Sequence, residues 1–399
     1  MEKPKASGNL RIAAINAMLS GFSFSMMRAV GQPFVLSLGA PMSTLGLLES
    51  LGGVRGILTG PIQYFGGWLS DRLGRRPFMA LGNLAALSAV CLYVLAALSG
   101  DWRWLLPAVI LAGAALISDP AQQSLIAEST PIDQRGMAFS IMMAAWIAPG
   151  IFAPSIGGYL ADRWGFLPVF LLQFALYGLG LFLIVRYLCE TRRPADGGIV
   201  WGELKGALVK MVVPPAGLRG LYLALAVDSF TWGLGYALLF GMLSERYGFT
   251  TFQLGIMSSL LSVSWALSQL PIGKLIDRYG SKPLMVFSEL MSIPIIVGWL
   301  FSTTFAAFAF IHTCFGVIAA TWVPAQNAIL ANSVSEYQRG EAMGRMAAFR
   351  GLIGFPAPLL GGMLYDHFGF QAPLLANLTG VILSTILLVI AVKEPRSES

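Results

Sequence analysis

The chain has 399 residues, of which 56% are hydrophobic and only 12% charged, with a formal net charge of +6 and a mean hydropathy of +0.70. A soluble globular domain carries about twice that charged fraction. The composition therefore excludes one and places the chain in a lipid bilayer.

Taken in chain order, apolar runs long enough to cross ~30 Å of hydrocarbon as helices fall at 11–37, 44–69, 78–99, 104–127, 136–160 and 167–189, then at 219–243, 251–275, 284–302, 305–331, 341–364 and 371–392. The expected fold is an all-α membrane protein of twelve transmembrane helices, with one six-helix bundle over 1–189 and a second over 219–399. The first run is too long for a signal-peptide core and lacks a small-residue cleavage site, so it reads as retained. Residues 190–218 break the apolar pattern and read as a cytoplasmic linker. Within it Trp201, Leu204, Leu208 and Met211 recur at helical spacing opposite Glu203, Lys205 and Lys210, which predicts an amphipathic helix on the inner leaflet or against the loops. Cys91, Cys189 and Cys314 lie in or at the ends of separate runs without metal-type spacing, and read as small apolar fillers.

The two halves repeat each other. Gly67-Trp68-Leu69-Ser70-Asp71-Arg72-Leu73-Gly74 returns 206 positions later as Gly273-Lys274-Leu275-Ile276-Asp277-Arg278-Tyr279-Gly280. Pro120-Ala121-Gln122 with Gln134-Arg135-Gly136 returns as Pro324-Ala325-Gln326 with Gln338-Arg339-Gly340, 204 positions on. Gly157-Gly158, Asp162 and Gly165-Phe166 return as Gly361-Gly362, Asp366 and Gly369-Phe370. A parallel repeat of two membrane bundles is the layout of a secondary transporter whose halves rock about a central site.

Orientation follows from Lys and Arg. With the amino terminus inside, the cytoplasmic segments hold nineteen of them, Arg72, Arg75, Arg76 and Arg278 included, and the outer loops hold only Arg103, Arg163 and Arg246. Both termini are expected in the cytoplasm of a cell with this protein in its inner (plasma) membrane, and the basic balance reads as attraction to anionic lipid. No basic stripe interleaved with aromatics points to nucleic acid.

Gly67-x-x-x-Asp71-Arg72-x-Gly74-Arg75-Arg76, between the second and third helices, matches the loop signature of the major facilitator superfamily at every defined position. Over essentially its whole length the chain resembles that family, and its drug-proton antiporters in particular. The resemblance implies alternating access of two six-helix bundles, with helices 1, 4, 7 and 10 lining the cavity. It also implies that Asp71 meets the start of helix 11 near Gly340 and that Arg75 pairs with Glu128, both only while the inner face is closed. A plain topogenic basic loop explains the same arginines. Ala153-Pro154-Ser155-Ile156-Gly157-Gly158 partly matches the exporters' helix 5 pattern, whereas the Arg usual in the first half of helix 4 is absent between Leu105 and Asp119.

Ionisable groups within spans cost ~2.5–3.5 kcal/mol each on insertion scales, so each needs a partner or a task. Arg28, Glu49 and Arg55 fall in the outer half or near the middle, which allows Arg28 to pair with Glu49 and leaves Arg55 to the cavity. Asp228 and Arg350 sit at matched depth on helices 7 and 11 and form a second candidate pair; Asp119 lies lower on helix 4 beside Pro120. A structural salt bridge is the competing reading of each pair. Glu289, on a helix expected to be peripheral, reads as structural, and His312 as a packing residue. Gln63 and Gln269 occupy equivalent places, able to bond substrate or a neighbouring helix. Among the aromatics, Trp232, Trp265 and Trp322 fall away from helix ends, where they suit an amphipathic, aromatic or cationic solute or plain packing.

These residues predict a monomeric secondary active transporter that exports amphipathic small molecules and is driven by protons or another coupling ion. Asp228 and Asp119 are the expected proton sites, Arg350 the counter-charge of Asp228, and Arg28 and Arg55 the groups that orient a polar or anionic moiety. No phosphate loop for ATP is present, nor a nucleophile-base or metal cluster for an enzyme, and no cofactor is expected. The alternatives are uptake or facilitated passage of an anionic metabolite, and a membrane receptor or regulator that kept the fold without transport.

Overall fold

The computed structural model describes residues 4–52, 56–191, 214, 216–334 and 339–392. The linker helix expected around 201–211 and the cavity residue Arg55 lie outside them. Every regular element among the described residues is a helix. The first half holds α1 (Pro4–Ser37), α2 (Met42–Gly52), α3 (Thr59–Leu73), α4 (Arg75–Ser99), α5 (Leu105–Ala114), α6 (Ser118–Ser129), α7 (Arg135–Ile147), α8 (Ala153–Trp164) and α9 (Phe166–Tyr187). The second holds α10 (Arg219–Leu234), α11 (Leu239–Tyr247), α12 (Thr251–Tyr279), α13 (Ser281–Phe301), α14 (Phe305–Asn332), α15 (Arg339–Gly354), α16 (Ala357–Phe368) and α17 (Gln371–Ala391). Eleven stretches among the described residues are long and apolar enough to cross a membrane, and α2 with α3 makes the twelfth crossing in two pieces.

Several predicted runs are pairs of helices, and the interruptions have chemical causes. Pro120 has no N–H to continue a helical ladder, so the fourth run tightens into a 3-10 turn at 115–117 and restarts with the proline in the first turn of α6, where no donor is needed. Pro149 and Pro154 bracket the break between α7 and α8. The seventh run parts at Gly235, and a short turn at 236–238 separates α10 from α11.

Both terminal helices end on one face. Asn9 on α1 donates to Ser129 Oγ at 3.3 Å and to the Cys189 carbonyl at 3.0 Å. Gly220, at the start of α10, lies against the Ala391 backbone at the end of α17. At the opposite, far face the halves are in direct contact, α2 running along α16 and α8 along α12. Met42, Leu45, Leu243 and Leu254 belong to one buried cluster that bridges the halves there. Towards the face with the termini α12 continues beside α14 and parts from α7, while α3 and α15 remain within reach of each other.

Candidate functional site

Two carboxyls lie deep in the spans in different company. Asp228 on α10 accepts from Arg350 Nη2 on α15 at 3.0 Å, the side chains being 2% and 16% exposed. Arg350 also donates through Nε to Ser229 Oγ at 2.5 Å and through Nη1 to Gln326 at 2.6 Å. A desolvated ion pair persists only where its remaining donors are occupied, and here the guanidinium ties α10, α14 and α15 into one node. Asp119, on α6, accepts instead from the neutral amide of Gln63 at 3.0 Å. The repeat does not copy this arrangement. Gln269 is exposed and makes no hydrogen bond among the described residues, because the position 204 after Asp119 is Val323.

Arg28 and Glu49 are not brought together. Glu49 on α2 accepts from Gln32 Nε2 at 3.0 Å, Gln32 standing one turn beyond Arg28 on α1. The same amide donates to the Ala237 carbonyl at 2.6 Å and accepts from Gly241 N at 2.7 Å. Gln32, which sequence reasoning passed over, thus fills the break between α10 and α11. Arg28 makes no hydrogen bond or ion pair among the described residues. His312 is fully buried, with ring centres of Phe240 at 5.4 Å and Tyr236 at 6.0 Å. Glu289, expected at the periphery, is buried as well.

Trp232 is buried and stacked on Phe315 at 5.0 Å, and Trp322 is buried in the cluster that holds Leu221 and Tyr222. Trp265 packs against this cluster and against the one that bridges the halves. The indole N–H groups of Trp265 and Trp322 meet no acceptor among the described residues. Phe24 and Trp146 stack at 5.5 Å between α1 and α7 and are partly exposed.

The signature loop is a compact charged knot on the face with the termini. Arg75 reaches Asp71 at 2.6 Å and Glu128 at 2.9 Å, and donates to Ser70 Oγ. Arg72 lies over the Trp68 ring at 4.0 Å. Gly67 sits where an added Cβ would come 3.3 Å from Pro120. Gly74 takes φ +105°, a backbone that favours glycine, and its bare Cα admits the Glu190 carboxylate. Glu190 accepts from Arg75 N at 2.8 Å and Arg76 N at 3.0 Å, capping α4 from the end of α9. This cap was missed in sequence because its partners are main-chain groups.

The family model described as "Major Facilitator Superfamily" matches residues 13–243 and 221–399. "Multidrug resistance protein MdtG" of Dickeya zeae is 24% identical over 385 residues, covering 94% of this chain and 92% of its own. The protein of the same name from Klebsiella pneumoniae is 22% identical over 400 residues, covering 98% and 95%. Among solved structures, a D-xylose-proton symporter superposes with a TM-score of 0.74 at 15% identity, covering 99% of this chain and 100% of that one. The human organic anion transporter MFSD10 (TETRAN) superposes with a TM-score of 0.66 at 19% identity, covering 96% and 100%. At these identities the superpositions speak for the fold alone. With its signature loop intact and the family model matched in both halves, the chain belongs to the major facilitator superfamily of secondary transporters.

Proposed function

We propose that this transporter exports amphipathic small molecules across the inner membrane at the expense of a proton gradient, as a monomer with both termini cytoplasmic. The six-helix halves at 1–189 and 219–399 rock as units, and the linker at 190–218 joins them. The observation that carries proton coupling is the contrast between the two intramembrane carboxyls. Asp119 is held by a neutral amide, so it can gain or lose a proton without stranding a cation. Asp228 is held by Arg350, so its protonation releases a guanidinium. The direction rests on the full-length likeness to multidrug resistance proteins, and the orientation on the Lys and Arg bias. In the same reading Asp71, Arg75 and Glu128 form the gate at the face with the termini.

The test uses purified protein in liposomes loaded with a lipophilic fluorescent cation. Movement against the dye gradient should follow an imposed pH difference and stop when a proton ionophore collapses it. Dye movement that ignores the pH difference refutes proton coupling. Passage of an anionic metabolite is a second reading, supported by Arg28, which has no hydrogen bond or ion pair among the described residues. Counterflow of a labelled aromatic carboxylate, lost in Arg28→Gln, would favour it over export of cations.

A further inference from the structure

At the far face two carboxylates, related by the repeat, each reach across to the other half. Asp366, near the end of α16, accepts from Met42 N at 3.1 Å and Ser43 N at 2.9 Å, the first turn of α2. Asp162, near the end of α8, accepts from Thr251 N at 3.0 Å and Phe252 N at 2.9 Å, the first turn of α12, and from the Thr251 hydroxyl. The first N–H groups of a helix have no partner within it and carry its positive end. Each Asp therefore supplies what the opposing helix lacks. Every hydrogen bond these two side chains make among the described residues crosses between the halves.

Glycines make the crossing close enough for so short a side chain. One turn before each Asp stands Gly158 or Gly362, where an added Cβ would overlap the Thr251 or the Met42 carbonyl. On the facing helices Gly46 and Gly255 lie against the backbones of Pro358 and Pro154 in the same way. The four helices thus touch main chain to main chain, and the carboxylates close the ends of the two seams.

We propose that Asp162 and Asp366 are a matched pair of latches that hold the far face shut, each gripping the opposite half only while that face is closed. They are positioning residues for the conformational cycle. The pair is unequal, because Thr251 adds a hydroxyl donor that Met42 cannot supply. Removing one charge should shift the closed-to-open ratio by between about twofold and thirtyfold, the range of a carboxylate at a helix end.

The test reads the gate directly. Ser155 Oγ on α8 and Ser259 Oγ on α12 are 2.8 Å apart across the same seam. With the three native cysteines replaced, Ser155→Cys with Ser259→Cys should crosslink readily in detergent. Adding Asp162→Asn and Asp366→Asn should slow crosslinking several-fold and raise labelling of a lone Ser155→Cys by a bulky maleimide. The single variants should be intermediate, with Asp162→Asn the stronger. Unchanged crosslinking and labelling in the folded double variant overturn the proposal, as does a lower Tm with labelling unmoved. If that variant does not fold, Gly362→Ala decides. It keeps both carboxylates but sets a Cβ against the Met42 carbonyl, so labelling must rise; unchanged labelling there also overturns the proposal.

Discussion

Neutralising Asp228 separates a coupling carboxyl from a structural ion pair. In Asp228→Asn the amide oxygen still faces Arg350 Nη2, and Arg350 keeps Ser229 and Gln326. The loss is at least the charge on one hydrogen bond, about 1.5–3 kcal/mol, and Arg350, 16% exposed, is left without its counter-charge. Arg350→Gln instead strands a carboxylate whose side chain is 2% exposed, a cost of about 3–5 kcal/mol for one partner left alone in a buried site. The double variant Asp228→Asn with Arg350→Gln strands no charge, so it should be more stable than Arg350→Gln alone. Thermal denaturation in detergent and pH-driven transport in liposomes are to be measured on the same three proteins. The expected outcome is that Asp228→Asn retains counterflow but loses uphill transport, and that the double variant regains stability without regaining uphill transport. Recovery of both in the double variant would refute Asp228 as a proton carrier and move that role to Asp119.

Asp119→Asn can keep the Gln63 contact and should leave Tm nearly unchanged while abolishing the pH dependence of transport; a pH profile like the parent's removes Asp119 from the coupling path. Asp71→Asn should stay folded, slow turnover and reduce crosslinking between the ends of α3 and α15, and unchanged values of both sink the gate assignment at that face. Gly74→Ala, at φ +105° and with its Cβ 2.7 Å from Glu190 Oε2, should cost about 1–3 kcal/mol. Gly273→Ala has open space around it and, lying inside α12, should be neutral or stabilising by up to about 1 kcal/mol. Equal melting shifts for the two glycine variants would contradict the account of the loop.

The membrane crossings were legible because a bilayer demands long apolar runs. Asp228 and Arg350 were legible as partners because insertion cost leaves few charges in the spans and depth narrows the choice. Depth does not give the direction a side chain takes around its helix, which is why Arg28 and Glu49 share a depth without forming an ion pair. Gln32 takes that place, and an uncharged amide carries too small an insertion cost to draw notice. The break at Gly235 is invisible to hydropathy, since apolar residues flank it. Asp162 and Asp366 stood out as repeated positions, but their partners are backbone N–H groups, which leave no mark in a sequence.

Gln32 has a consequence for the motion itself. Its amide occupies the Ala237 carbonyl and the Gly241 N–H, two main-chain groups at the interruption of the seventh crossing, while its other contact is the Glu49 carboxyl. Any movement that draws α1 away from α11 removes the partner of both groups together. In hydrocarbon neither can be left bare, so the parting of these helices has to admit water as it proceeds. Parting of α1 from α11 is in that sense a wetting step, felt first at the two main-chain groups that Gln32 covers.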